Sequence, residues 1–445
     1  MSDPGGSRRN FIRLAAGAVS CAVTWDASSY ARIIGANERI GVGVIGYSER
    51  FQDALLPAFQ KQAAAQNFEI VAVSDIWNRR RSEGADALSR LTGRPVTGAR
   101  NNDELYQMKQ VEAVIISTAD HQHAQHGIEA VRAGRDAYIE KPLASTMSDA
   151  RAVLKAVTET KRVVQIGTQR RSARNFARAR DYLRSGEFGE ISFVELTYNV
   201  NQPKRWRRPQ LVAALREADT DWPRFVMNRT HDAFDPHKYF EYRLYWPYSS
   251  GIPDQWMVHP IDTLHYLTGL EHPRSAVAQG GIYQWRDGRI NPDTFTAIFD
   301  YGPPDDAAKG FQVVFTSRMT NSAGGVHDLY LSGAGSLDAS AGTVSPVGGL
   351  TEQAAKGTPW KPTKLTEGPI LTDMQMTGKA ARGEDDEAVT THMLNWMECI
   401  RSRKAPVADV RAGFSHSVAL CMATAAWRSG KRATFDAQRQ DVVCV

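Results

Sequence analysis

The chain has 445 residues, 42% of them hydrophobic, 9% aromatic and 23% charged, which is globular composition with material for two or three domains and excludes a mostly disordered chain. Lys plus Arg (54) exceeds Asp plus Glu (49) by 5, an excess too small and too dispersed for a nucleic-acid binder. Cys21, Cys399, Cys421 and Cys444 show no CxxC spacing, so neither a metal cluster nor a disulfide framework is expected.

Residues 1–35 read as an address. Ser7-Arg8-Arg9-Asn10-Phe11-Ile12 precedes a charge-free stretch from Leu14 to Trp25 that is rich in Ala and Gly. A basic region followed by a short apolar one is the pattern of a signal peptide. The paired arginines followed by Phe and Ile resemble the twin-arginine export signal. The expectation is export of the folded chain by the twin-arginine machinery, to the periplasm. Because that compartment holds little free dinucleotide, a dinucleotide site in such a protein would have to load and retain its cofactor first.

Ile40 to Ile45 (IGVGVI) has the character of a buried parallel strand. Gly46-Tyr47-Ser48-Glu49-Arg50 makes a turn, Gln52 to Ala65 a helix, and Glu69 to Val73 a second apolar strand ending at Ser74-Asp75. Strand, turn, helix, strand, acid is the unit that holds a pyrophosphate on a helix N-terminus. Gly41-x-Gly43-x-x-Gly46 is a literal GxGxxG, but it lies within the strand, whereas the mechanism needs glycines at the turn. The working loop is expected to start at Gly46, with Ser48 and Phe51 at the other two glycine positions. Ser48 still permits close approach to a phosphate; Phe51 crowds the point where helix and strand normally touch. Asp75 suits the ribose hydroxyls of NAD and repels a 2′-phosphate. Arg79, Arg80 and Arg81 leave NADP as the alternative.

The alternation continues with a strand from Val111 to Ser117, ending in Thr118-Ala119-Asp120-His121-Gln122-His123. A helix is expected from Gln125 to Ala133 and a strand from Asp136 to Ile139, with Glu140-Lys141-Pro142 at its carboxyl end. Ligands bind outside the carboxyl ends of parallel strands. Gly46, Ser48, Glu49, Arg50, Asp75, Thr118, His121, His123, Glu140 and Lys141 are therefore the candidate cofactor contacts.

These residues resemble the Gfo/Idh/MocA family, whose name combines glucose–fructose oxidoreductase, inositol dehydrogenase and a rhizopine-catabolism protein. Glu140-Lys141-Pro142 is the family's EKP signature, and Gly35-Ala36-Asn37-Glu38-Arg39-Ile40 looks like the entry of its exported members. The likeness runs from about Tyr30 to Phe435 and includes Gly167-Thr168-Gln169-Arg170-Arg171. It implies an α/β fold: a Rossmann dinucleotide-binding domain over 36–168, then a C-terminal α+β domain over 169–445 with a large, mostly antiparallel open sheet. It also implies a homo-oligomer, a bound NAD or NADP, and a sugar, polyol or related substrate.

Beyond Gly167 the pattern changes. Ala173 to Arg184 reads as a helix stopped by Gly186. Strands are expected at Ile191 to Asn199, Ser275 to Tyr283, Thr294 to Tyr301, Phe311 to Thr320 and Asp328 to Leu331. The Ala/Gly/Ser/Pro-rich stretch from Ser332 to Pro369 reads as a long loop region. In the resembled family, a block with Asp four residues before a His and another Asp three after it supplies the acid/base His. Here His259 and Asp262 match, while Gln255 stands at the first Asp and Asp254 is displaced by one. A helix turns about 100° per residue, so Asp254 should not replace that group. Gln can hydrogen-bond a hydroxyl but cannot take its proton. The resemblance thus implies Lys141, His259 and Gln255 as catalytic residues, with Arg243, Tyr248 and Asp262 beside the substrate. Trp206, Trp222, Tyr239, Tyr242, Tyr245, Trp246, Tyr248 and Trp256 crowd this region, and suit a carbohydrate pocket and a packed core equally.

Three readings follow. The first is an NAD(P)-dependent oxidoreductase moving hydride between a carbinol carbon and nicotinamide. The second is a glycoside-cleaving enzyme or lyase that oxidises transiently with tightly bound NAD. The third is a non-catalytic sugar-binding relative.

Overall fold

A computed structural model describes residues 38–370 and 386–445, apart from His231, Pro304, Ala307 and Lys364. The twin-arginine segment and Cys21 lie outside the described residues.

Six short strands form the first sheet: β1 (Ile40–Ile45), β2 (Phe68–Ser74), β3 (Thr97–Ala99), β4 (Ala113–Ile116), β5 (Asp136–Ile139) and β6 (Val164–Ile166). Every pair in it is parallel, in the order β3-β2-β1-β4-β5-β6. The helices α1 (Leu56–Gln66), α2 (Asn78–Thr92), α3 (His123–Arg132) and α4 (Met147–Thr160) are the crossovers. All residues of β4 and β5 are buried, as strands covered on both faces require. This strand order is the doubly wound Rossmann arrangement, with its switch point between β1 and β4. Gly41 and Gly43 lie inside β1, as the position of the literal GxGxxG required.

The second layer opens with α5 (Arg174–Ser185), closed by Gly186 in a left-handed cap at φ 83°. Its sheet contains β7 (Ile191–Tyr198), β8 (Ser275–Gly281), β9 (Thr294–Tyr301), β10 (Phe311–Arg318), β11 (Val326–Ser332), β12 (Gly335–Asp338), β13 (Thr343–Ser345), β14 (Gly368–Pro369), β15 (Ala433–Asp436) and β16 (Asp441–Cys444). The order is β14-β13-β12-β11-β7-β10-β9-β8-β15-β16, and only β7 and β10 pair in parallel. Burial alternates along β9, the pattern of a sheet with one covered face. The stretch 332–369 is not all loop: β12, β13 and β14 extend the sheet edge. Strands of two to four residues carry too little alternation to be read from sequence.

Three further helices join the layers: α6 (Val258–Thr268), α7 (Asp386–Ser402) and α8 (Val410–Ser429). Although it lies far past residue 169, α7 packs on the Rossmann sheet. Val389, Met393, Trp396, Met397 and Ile400 form one helical stripe buried with Phe68, Ile115 and Tyr138.

Candidate active site

The carboxyl ends of β1, β2, β4 and β5 open into a cavity of about 990 Å³, whose opposite wall comes from the second layer. Gly46 begins the β1 turn at φ 86°, and a Cβ there would lie 2.8 Å from the Ser117 carbonyl oxygen. The Ser48 hydroxyl lies 2.8 Å from that of Ser117 and accepts from the Phe51 N–H at 3.2 Å. Phe51 is fully buried beside Tyr47, and the helix starts with one wide π-type turn, Phe51–Leu55, before α1. That turn accommodates a side chain larger than the glycine usual at this position.

Asp75 lines the cavity at the end of β2. Its two carboxylate oxygens accept from the Tyr47 N–H at 3.0 Å and the Trp77 N–H at 2.9 Å, so it also braces the β1 turn. Burial raises its pKa against the pull of Arg80. Of the three arginines after it, Arg80 lines the cavity, Arg79 pairs with Glu83, and Arg81 donates to the Asp75 carbonyl. Replacing Asp75 with Ala should therefore weaken dinucleotide binding overall and shift the remaining preference toward NADP, because Arg80 stays while the repelling charge goes. Titration of the variant with both dinucleotides checks this; an unchanged ratio would count against the ribose role.

At the other end, Glu140 accepts from Arg50 Nε at 2.9 Å and from the Lys141 N–H at 3.1 Å. A Cβ on Gly167 would come within 2.9 Å of the Glu140 carboxyl carbon, which explains the glycine there. Lys141 Nζ donates to the main-chain carbonyls of Gln255 at 3.0 Å and Asp254 at 3.4 Å. Burial pushes its ammonium down to about 8, with Asp120 and Glu140 opposing the shift. His259 stands on the same wall, half-buried. Burial, followed by the positive charge of Lys141, holds its imidazole well below the usual histidine range. At neutral pH this places a neutral imidazole, an acceptor, and a mostly protonated lysine, a donor, on the same cavity.

A second wide turn, Pro253–Met257, precedes α6 and sorts the two neighbours. Gln255 faces the cavity. Asp254 turns away and accepts from the Ser250 N–H at 2.7 Å and the Ser145 hydroxyl at 3.0 Å. Burial raises its pKa to about 6.

Thr118, His123, Glu49 and Arg243 also line the cavity. His123 Nδ1 donates to the Pro142 carbonyl at 2.8 Å. Glu49 is held by Arg208 from the second layer at 2.6 Å, and that contact lowers its pKa.

Three expected contacts lie behind the wall instead. His121 is fully buried, donates from Nε2 to the Phe225 carbonyl at 2.7 Å, and packs on Tyr248. Tyr248 joins a cluster with Trp222 and Phe225, its hydroxyl 3.4 Å from Asp232. Asp262 receives a two-point contact from Arg171 at 2.8 and 3.1 Å and a third from His416 at 3.1 Å. It is a buried structural anion. Of the aromatic crowd, Trp206, Tyr239, Tyr242 and Trp256 line the cavity, Tyr239 and Tyr242 from the edge of the core cluster that Trp222 and Tyr248 fill. Tyr198, unmarked in the sequence, stacks on Trp256 with ring centres 5.0 Å apart.

The segment between β7 and Pro253 crosses to the Rossmann layer and roofs the cavity. Thr220 pairs with Trp77 in a β-bridge, the Asp221 N–H donates to the Ile76 carbonyl, and Phe240 meets Trp77 edge-on at 5.2 Å. Leu215 completes that apolar seam.

Residues 40–168 match the model of an oxidoreductase family with an NAD-binding Rossmann fold, GFO_IDH_MocA. Inositol 2-dehydrogenase of Salmonella paratyphi B is 28% identical over 196 residues, 43% of this chain and 54% of that protein. The 1,5-anhydro-D-fructose reductase of Ensifer adhaerens is 31% identical over 145 residues, 31% of this chain and 43% of that protein. The chain thus spans about half the length of the curated relatives it matches. The WlbA dehydrogenase of Bordetella pertussis, solved with NADH and UDP-GlcNAcA, is similar over 90% of this chain and 99% of its own, with a TM-score of 0.62 and 17% identity. That likeness carries the two-layer fold through both domains. Residues 40–168 of this chain are thus similar to the NAD-binding Rossmann domain of the Gfo/Idh/MocA oxidoreductases.

Proposed function

We propose that the protein is an NAD-linked oxidoreductase acting on a secondary alcohol of a sugar, polyol or sugar derivative. The observation that carries this reading is the meeting of Lys141, Gln255 and His259, from two domains, on one cavity beyond the carboxyl ends of the Rossmann strands. The residues present suit a dinucleotide: an open turn at Gly46, a helix start behind it, and an acid at Asp75. When bound, the nicotinamide supplies the hydride chemistry. His259, neutral at pH 7, takes the hydroxyl proton during oxidation, and Lys141 donates to the same oxygen as charge develops on it. Tyr198 and Trp206 line the cavity and give apolar ring surface to a carbohydrate, with Trp256 stacked behind Tyr198. The names of the two curated relatives, one acting on a cyclitol and one on an anhydrosugar, support that substrate class.

The roof over the cleft favours a cofactor retained between turnovers, with NAD preferred through Asp75 and NADP as the alternative. It also favours a second reading, glycoside cleavage with transient oxidation and no net redox. Native mass spectrometry of the purified full chain should show retained dinucleotide, in a homo-oligomer. A panel of polyols and aldoses should then reduce that dinucleotide. Cleavage of an aryl glycoside without net reduction would select the second reading, and binding without either would leave a sugar-binding protein.

Export to the periplasm through the twin-arginine machinery is part of the proposal, resting on Arg8 and Arg9. Replacing both with Lys should leave the precursor in the cytoplasm on fractionation. A periplasmic double variant would remove the export assignment.

A further inference from the structure

Asp120 stands at the carboxyl end of β4, in the turn that opens α3, and is 2% exposed while lining the cavity. Its Oδ2 accepts from the Ser249 hydroxyl at 2.6 Å and from the Gln255 amide Nε2. The amide oxygen of Gln255 accepts from Arg243 Nε at 2.8 Å. This orientation has no alternative: a carboxylate only accepts and a guanidinium only donates, so a flipped amide would lose both bonds. The carboxylate therefore fixes Gln255, and Gln255 in turn aims Arg243.

Charge points the same way. Glu140 is paired with Arg50, and Asp254 turns away to Ser250 and Ser145. Among the described residues Asp120 has no ion pair within 4.0 Å. Of the charges that act on Lys141, Asp120 exerts the largest attraction, followed by Glu140, against Arg243 and Arg50. The neighbouring imidazoles of His259 and His123 are held below their ordinary range mainly by burial. We propose that Asp120, from the Rossmann domain, supplies the carboxylate that the α6 block lacks, as a positioning residue that is both the counter-charge of Lys141 and the anchor of Gln255. The role rests on the oxidoreductase reading of this site.

The test uses full-length protein with whatever cofactor it retains. Trace labelling with acetic anhydride across pH, followed by peptide mass spectrometry, reads the protonation of Lys141 without any substrate. In Asp120→Asn, an isosteric change, labelling of Lys141 at pH 7 should rise about fivefold, as the lysine loses its proton about one unit earlier than its present value of about 8. Asp120→Glu should return toward wild type. Asp120→Ser is a second neutral variant if Asn disturbs folding. On a polyol that wild type oxidises, the pH profile of kcat/KM should move with the labelling curve and the rate should fall at least about tenfold. An unmoved labelling curve overturns the proposal, and so does a moved curve with turnover within about twofold of wild type. A wild-type protein inert to every polyol and aldose of the panel, with the labelling shift present, refutes the oxidoreductase reading and leaves the counter-charge standing.

Discussion

Lys141→Ala and His259→Ala are each expected to lower turnover on the order of 10²–10⁴-fold while leaving the fold and dinucleotide binding in place. Lys141 ends β5 at the cavity edge and is steadied by two main-chain carbonyls of the other domain. Removing the side chain takes away the donor to the reacting oxygen and the counter-charge of Asp120, but that carboxylate keeps its hydrogen bonds from Ser249 and Gln255, and Glu140 keeps Arg50. His259 is half-buried in the cavity wall, so its truncation leaves a space that water enters rather than a dry void. Single-turnover reduction of the bound dinucleotide, with circular dichroism as the folding control, separates chemistry from collapse. Wild-type rates in either variant would end the mechanism.

Asp262→Ala should fail in the opposite way. Arg171 and His416 both lean on this buried carboxylate, and Arg171 holds it by two bonds. Deleting it strands a guanidinium in a buried setting, at a cost of about 3–5 kcal/mol of folding stability. Urea unfolding measures the loss, while the remaining folded fraction should still bind dinucleotide. The same anion makes stability depend on pH. Its pKa is held well below the usual carboxylate range, chiefly by Arg171 acting against burial. A depressed folded-state pKa gives stability that is present in full above the unfolded value near 3.9 and lost as pH falls further. Wild type should therefore weaken below about pH 4, and Asp262→Ala should lack that part of the acid sensitivity.

Four strands of the first sheet, β1, β2, β4 and β5, were legible because a strand covered on both faces must be a short apolar run; β1 and β5 were read to the residue, whereas the three-residue β3 and β6 were not read. The chemistry at their ends was legible too, since topology sends Glu140 and Lys141 to the ligand side whatever their rotamers. Side-chain direction was not. His121 and His123 lie two apart on a tight turn, and one enters the core while the other reaches the cavity. Asp262 sits one turn beyond His259 on α6, yet faces Arg171 rather than the cavity. Asp120 was in the quoted string and gave no signal of its own, because its role depends on Gln255, 135 residues away. The return of α7 to the first layer was likewise invisible, since an apolar stripe does not name the surface it will cover.

The seam of Trp77, Leu215 and Phe240 that closes the roof has a kinetic meaning. If the dinucleotide cannot leave between turnovers, the enzyme must regenerate it in place. Hydride taken from one alcohol then has to be given to a second molecule that occupies the same vestibule after the first has gone. Two half-reactions would alternate, double-reciprocal plots would run parallel, and each substrate would compete with the other for the wrong form of the enzyme. If so, loosening one aromatic contact of the seam should release the dinucleotide and make turnover depend on free cofactor.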